Sequence, residues 1–127
     1  MEDFEKKVVK DVIVEKVNLT RATWKEAVEL KKILEEDIVK KFPKIVVDIS
    51  ECEFMDSTFL GALVVSQKNF NKNGSEIKLV EPASVMQTLM EKSGTLKIFD
   101  TYSSVDEAVD SFNLDYSKVE NAHPLQN

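Results

Sequence analysis

The apolar residues of the chain fall into short runs typical of strands, separated by longer stretches with helical spacing. Val8-Val9 and Val12-Ile13-Val14 flank Lys10-Asp11, which predicts a hairpin of two short strands. Ile45–Ile49 is nearly all apolar, as expected for a central strand that is covered on both faces. Two further short apolar runs predict strands: Ile77–Val80 and Lys97–Phe99.

The longer stretches have the three- and four-residue spacing of amphipathic helices. The first begins at a capping box, Thr23-Trp24-Lys25-Glu26, and ends before Pro43. Its apolar face comprises Ala27, Leu30, Leu34 and Ile38. The second follows Asp56 and lasts to about Lys72, where Asn73-Gly74 provides a stop. Its apolar stripe comprises Leu60, Leu63 and Phe70.

Two more helices are predicted in the C-terminal half. The third extends from Pro82 to about Lys92, and the fourth begins at a second capping box, Ser104–Glu107. From Asn113 onward the pattern fades, so we expect a domain of residues 1–112 and a flexible polar tail of residues 113–127. Strands that alternate with helices indicate an α/β fold, with four or five strands in a mixed sheet and about four helices packed on it.

Composition and charge narrow the class of protein. The chain has 127 residues, of which 43% are apolar and 31% charged, as in an ordinary globular domain. The net charge of −6 argues against nucleic acid as a direct partner. The apolar runs are too short to cross a bilayer, and the acidic start Met1-Glu2-Asp3 is unlike a signal peptide. We therefore expect no membrane association. Because Cys52 has no second cysteine to pair with, which fits a reducing compartment, we expect a cytoplasmic protein.

The residue types that catalysis or metal binding would need are scarce. His123 is the sole histidine and Cys52 the sole cysteine, so neither a catalytic triad nor a metal cluster can be assembled. Gly61, Gly74 and Gly94 are too far apart for a phosphate loop. We therefore expect no catalytic residues, no metal and no cofactor, although an enzymatic or ligand-binding domain with a pocket at the strand ends near Ser57 stays an open alternative.

The run from Phe54 to Gly61 is the most informative part of the chain. It places Ser57 where a buried strand passes into a helix N-terminus, with unpaired N–H donors and the positive end of the helix dipole. A phosphate on Ser57 would be stable there, but a serine at a helix start can also be a simple cap. Asp56 is the cap itself, a contact for a partner, or both.

At these residues the chain resembles the STAS-domain anti-sigma factor antagonists, small bacterial proteins with an Asp-Ser-(Ser/Thr/Ala)-Gly-Leu-Gly turn between a strand and a helix. Pro82–Val85 is similar to that family's proline-led helix, and Leu89–Phe99 to its Ser-Gly stop and last strand. The resemblance covers roughly Phe4 to Phe112. It implies the STAS fold, a role in transcription regulation through protein–protein interaction, and phosphorylation of Ser57.

The resemblance also implies a partner and a switch. The unphosphorylated chain would bind an anti-sigma factor that is itself a serine kinase and so release a sigma factor, and phosphorylation of Ser57 would end the binding. ATP would belong to the kinase, and this chain would be a monomer or a weak dimer. The alternative is a degenerate STAS scaffold or interaction module that is not phosphorylated. The implied partner-binding residues are Asp56, Thr58, Phe59 and Ala62 together with Thr20 and Arg21.

Two positions depart from the family pattern. Phe59 stands where the family typically has glycine, and its ring either packs inside the domain or forms an aromatic anchor at the partner surface. Thr20-Arg21 stands where the family often has an acidic residue after leucine, which changes the contacts expected from that loop.

Overall fold

Residues 2–39 and 44–113 are described by the computed structural model of the chain. Five of its strands form one mixed sheet and two form a separate ribbon. In chain order the strands are β1 (Phe4–Val9), β2 (Val12–Val17), β3 (Arg21–Ala22), β4 (Lys44–Asp48), β5 (Phe54–Met55), β6 (Glu76–Val80) and β7 (Thr101–Tyr102). The large sheet has the order β1-β2-β4-β6-β7, with β1 and β2 antiparallel and the other pairs parallel, and β3 pairs with β5.

The helices lie on both faces of the large sheet. They are α1 (Trp24–Val39), α2 (Ser57–Lys72), α3 (Ser84–Lys92) and a fourth, α4, whose described residues are 105–113. Residues from α1, α2 and α3 share one core cluster with alternate residues of β2, β4 and β6, and α4 packs on the opposite face. The predicted α/β fold with a mixed sheet is therefore confirmed, and β4 is the central strand. None of the helices in the described ranges is both long and apolar enough to span a membrane.

The predicted hairpin between the first two strands is confirmed. Lys10 and Asp11 have φ angles of 48° and 64°, so both turn residues adopt the left-handed conformation. A two-residue turn with two positive φ angles has the twist that antiparallel strands need, which explains why this turn forms without its usual Asn-Gly pair.

The predicted strand at Lys97–Phe99 is wrong. Gly94 has a φ angle of 79°, and the chain then forms a 3₁₀ turn, Thr95–Ile98. The edge strand comes later, at β7, where Thr101 pairs with Leu79. The apolar pattern of this stretch arises because Phe99, 5% exposed, contributes to the core from a connection and not from a strand. The third helix also begins later than Pro82, at Ser84.

The proposed boundary between domain and tail stays a prediction. Asn113, which the sequence assigns to the tail, is helical. The rest of the predicted tail, residues 114–127 with His123, lies outside the described residues. The predicted helix stop at Pro43 lies outside them as well.

A cluster of two buried carboxyl groups and one exposed lysine joins α1 to the hairpin, and local sequence carries no signal for it. Lys6 and Glu15 are paired across β1 and β2, and Lys6 Nζ lies 2.9 Å from Glu15 Oε2. The same ammonium donates to Asp37 Oδ1 from α1. Burial, with a contribution from hydrogen bonding to Asp37, raises the pKa of Glu15 to about 8, although the ion pair with Lys6 acts in the opposite direction. Burial lowers the pKa of Lys6, but hydrogen bonds to Asp37 and Glu15 outweigh it and raise that pKa.

We predict that Leu63→Ala lowers the free energy of unfolding by about 2–5 kcal/mol, because Leu63 is fully buried and its removal leaves a cavity. Urea unfolding measures the loss. Val65→Ala is the control on the same helix, since Val65 is 44% exposed and its truncation should cost less than about 1 kcal/mol. A loss below about 0.5 kcal/mol for Leu63→Ala would contradict this packing.

We predict that stability falls as the pH rises from about 5 to 8. Folded Glu15 keeps its proton up to a pKa of about 8, whereas the unfolded side chain releases it near the ordinary value of 4.5. The folded state therefore binds more protons in this window, and the free energy of unfolding decreases with pH, by at most a few kcal/mol. Urea unfolding at several pH values tests this.

Glu15→Gln should remove most of that pH dependence, because the amide cannot ionise. The exposed Glu35→Gln on α1 is the control and should keep the slope of the wild type. An identical slope for wild type and Glu15→Gln would show that Glu15 is ionised in the folded protein throughout the window.

Candidate partner-binding site

One carboxylate holds the start of two helices. Asp56 is the N-cap of α2, and its Oδ1 accepts a hydrogen bond from the Phe59 N–H at 2.9 Å. Its Oδ2 accepts from the N–H of Trp24, the first residue of α1, also at 2.9 Å. The predicted cap role of Asp56 is therefore confirmed, and the second bond ties the N-terminus of α1 to that of α2. The sequence carried no signal for this bond, since Trp24 lies 32 positions away.

The Leu19–Arg21 loop lies against the turn that carries Ser57. The carbonyl of Thr20 accepts hydrogen bonds from the N–H groups of Glu53 and Phe54, at 2.8 and 3.1 Å. The Arg21 guanidinium lies 4.6 Å from the centroid of the Phe54 ring, a cation–π distance. Thr20 and Arg21 are both exposed. The structure thus brings this loop and the Ser57 turn together, as the docking hypothesis requires.

Ser57 is the first residue of α2, and its side chain is exposed. A helix supplies no acceptor for the N–H groups of its first turn, and here Asp56 takes the N–H of Phe59 but not those of Ser57 and Thr58. These two amides and the helix dipole favour an anion at this point. These features agree with the expected phosphate on Ser57, whose modification stays a prediction.

The suggestion that Phe59 is an exposed aromatic anchor is wrong. Its side chain is 0% exposed and belongs to the main core cluster, so the ring packs inside the domain. Helical spacing explains this, since Phe59, Leu63 and Phe70 share the buried face of α2. Ala62 is also buried, at 4%, and lines a surface groove between α1 and α2, and its role in partner binding stays a prediction. Thr58 is exposed, and its role in partner binding stays a prediction.

Trp24 is an exposed aromatic residue at this surface. The sequence pattern predicts only that it lies within the capping box of α1. Its side chain is 62% exposed, and its backbone is bound to Asp56 beside Ser57. A shallow groove between α1 and α2 is lined by Ala27, Val28, Gly61 and Ala62 among others, and Trp24 stands one helical turn before Val28. A tryptophan in the first turn of an amphipathic helix could have been assigned to the surface, because it falls outside the apolar stripe of α1.

The prediction that Thr23 and Glu26 cover free N–H groups at the start of α1 is confirmed. The Glu26 carboxylate accepts from the Thr23 N–H at 2.9 Å. The Thr23 hydroxyl accepts from the N–H of Lys25 at 3.3 Å. At α4, Ser104 Oγ accepts from the Glu107 N–H at 3.1 Å, while the Glu107 carboxylate accepts from the Ser103 hydroxyl at 2.9 Å.

A second, more polar groove lies between the Ser50–Glu53 turn and the start of α3, with a volume of about 680 Å³. It lies beyond the carboxyl end of β4, and Ser57 is not among the residues that line it. Its lining comprises Thr20, Ser50, Glu51, Glu53, Ala83, Ser84 and Val85. Within the described ranges no three His, Cys, Asp or Glu side chains are grouped so that they could hold a metal ion.

Cys52, next to this groove, is a buried free thiol. Its side chain is fully buried. Burial raises the pKa of the thiol to about 12, and the nearby charges of Asp48 and Glu51 add to the shift. Because the thiolate is the nucleophile and metal ligand, a thiol with this pKa is unreactive near neutral pH.

The profile of the STAS domain family matches residues 9–108, and the chain therefore belongs to that family. The structure of a candidate anti-sigma factor antagonist from Thermotoga maritima is similar, with 25% identity and a TM-score of 0.75 over 85% of this chain and 92% of that one. The resemblance to the STAS-domain antagonists is thereby confirmed at the level of family and fold.

Two more distant structures share the fold. The Bacillus cell-fate determinant SpoIIAA in its phosphorylated form is 16% identical, with a TM-score of 0.67 over 86% of this chain and 98% of that one. A sulfate transporter family protein from Wolinella succinogenes is 20% identical, with a TM-score of 0.72 over 86% of this chain and 90% of that one. At these identities the likeness concerns the fold alone.

We predict that Asp56→Ala destabilises the domain by about 1–3.5 kcal/mol, because it removes the cap of α2, worth about 0.5–2 kcal/mol, and a second hydrogen bond at the start of α1, worth about 0.5–1.5 kcal/mol. Chemical denaturation measures the effect. Ser57→Ala, one position later, is the control and should change stability by less than about 0.5 kcal/mol, since its exposed hydroxyl is not part of the cap. Equal stabilities for the two variants would disprove the double cap.

Proposed function

We propose that the chain is an anti-sigma factor antagonist that binds an anti-sigma factor serine kinase and is switched off by phosphorylation of Ser57. In this proposal it acts in the bacterial cytoplasm, has no enzymatic activity and needs no cofactor. Membership of the STAS family and the likeness to antagonist structures support the class of function. The observation that carries the switch is an exposed serine at the first position of a rigidly capped helix, beside a second exposed loop.

The electrostatics of the site explain how one phosphate would end binding. A phosphoserine adds about −1.5 to −2 charges at neutral pH. In the free protein the helix dipole and the first-turn N–H groups stabilise this charge, by roughly 0.3–1 kcal/mol per charge. Burial of the same charge against a partner without a matching cation costs more than the dipole returns. Phosphorylation would therefore weaken the complex and leave the folded domain intact.

The surface beside Ser57 has the features of a binding face. Thr58, Thr20 and Arg21 are exposed there, and Asp56 fixes the relative positions of the two segments that carry them. Since the backbone of this face is held by hydrogen bonds, a partner would meet a preformed surface and lose little entropy in ordering it.

We predict that Ser57→Asp lowers the affinity for the kinase at least tenfold, or about 1.4 kcal/mol, while thermal stability stays close to that of the wild type. Ser57→Ala should bind like the wild type and should not be inactivated by kinase and ATP. Isothermal titration calorimetry measures the affinities, and intact mass before and after incubation with ATP reports the modification.

Ser104→Asp is the matched control for added charge. It also places a carboxylate at a helix N-terminus, but at α4, on the opposite face of the sheet, and aspartate is as good a cap as serine. Its affinity should equal that of the wild type. If both Ser57 variants bind like the wild type and no phosphate appears on Ser57, the scaffold alternative takes the place of the switch.

A further inference from the structure

The groove between α1 and α2 continues the surface around Ser57. Thr58, which follows Ser57, lines one end of the groove. Val28 on α1 and Val65 on α2 line it as well and are 75% and 44% exposed. Together these side chains form a short apolar strip on the surface between α1 and α2.

Trp24 extends the strip toward the start of α1. It stands one helical turn before Val28, so the two side chains lie on the same side of the helix. Its indole is 62% exposed, and the Lys25 ammonium lies 6.0 Å from its ring centroid. Tryptophan is among the residues that most often contribute binding energy at protein interfaces.

Charge indicates what kind of segment fits the groove. The protein carries a net charge of −6, yet Lys31 is the one charged residue among those that line the groove in the described part of the chain. A segment with apolar side chains for the floor and a carboxylate opposite Lys31 is complementary to this lining, whereas a basic segment is not.

We propose that this strip, formed by Trp24, Val28, Lys31 and Val65, docks an apolar, carboxylate-bearing segment of the anti-sigma factor kinase, with the Trp24 indole as its anchor. The inference rests on the proposed function, which supplies the occupant.

The first test uses the fact that Trp24 is the sole tryptophan of the chain. The full chain labelled with 5-fluorotryptophan gives a single ¹⁹F resonance. The serine kinase that phosphorylates Ser57 is then added to the labelled chain. We expect the resonance to shift on binding and to lose its solvent isotope shift, because the indole becomes buried. An unchanged resonance, while calorimetry shows that the kinase is bound, overturns the proposal.

A second copy of the chain is the competing occupant. A ¹⁹F shift that depends on the concentration of the chain alone, with dimers in sedimentation, would assign the groove to self-association and overturn the proposal. We expect no concentration dependence at the concentrations used for kinase binding.

Matched variants test the anchor and the apolar strip. Trp24→Ala should weaken kinase binding at least about tenfold and Trp24→Phe less than about threefold, with unchanged thermal stability in both. Val28→Glu should weaken binding by about tenfold. Val39→Glu is its control on the same helix, because Val39 is 77% exposed against 75% for Val28 but does not line the groove.

Charge variants test the sign of the partner segment. Lys31→Glu should weaken binding about tenfold, and Lys31→Arg should retain it, if a carboxylate faces Lys31. Equal or tighter binding by Lys31→Glu contradicts an acidic segment.

The outcomes separate the two proposals. If the Ser57 variants behave as expected and all strip variants bind like the wild type, the docking proposal fails and the switch stands. If the wild type binds no anti-sigma factor kinase, the proposed function fails and the docking proposal with it.

Discussion

The double hydrogen bond of Asp56 is the constraint on which the functional surface depends. One oxygen caps α2 through Phe59 and the other holds the first N–H of α1 at Trp24. Two helices that are far apart in sequence therefore begin at the same point, and the negative charge lies at the positive ends of both dipoles. Because both oxygens are engaged, the carboxylate cannot turn away without loss of a cap. The positions of Ser57 and Trp24 relative to each other follow from this one side chain.

This arrangement separates the residue that stabilises the domain from the residue that would be modified. Asp56 is half-buried and bound by two amides, whereas Ser57 is exposed, and its hydroxyl makes no cap bond. A charge placed on Ser57 meets a helix N-terminus, where it is tolerated. A charge change at Asp56 would instead affect the fold. Modification at position 57 can therefore alter what the surface binds while the surface itself keeps its shape.

The sequence predicted those features that depend on local chemistry. Hydrophobic spacing identified the central strand and the stripe of α2, and cap residues identified the starts of α1 and α4 within two residues. It failed where contacts between distant segments decide. Phe99 is buried because the connection that carries it packs on the core. The apolar run around it therefore has the pattern of a strand without forming one. Phe59 replaces the glycine that is typical of the STAS antagonists, which suggested a surface role for its ring. Its helical spacing with Leu63 nevertheless favours burial. The bond from Asp56 to Trp24 leaves no trace in local sequence.

Polar contacts at both ends of α1 determine how that helix lies on the sheet. Asp56 binds its first residue, and the Lys6–Glu15 pair binds Asp37 in its last turn, about 20 Å further along the axis. The apolar contacts in between, made by Ala27, Leu30 and Leu34, are strong but not directional. Buried polar contacts add little net stability, but they require a particular geometry, and we infer that this cluster helps to fix the rotation of α1. The rotation influences which residues face α2, and so polar groups at the far end of α1 contribute to the exposure of the Trp24–Val28 strip.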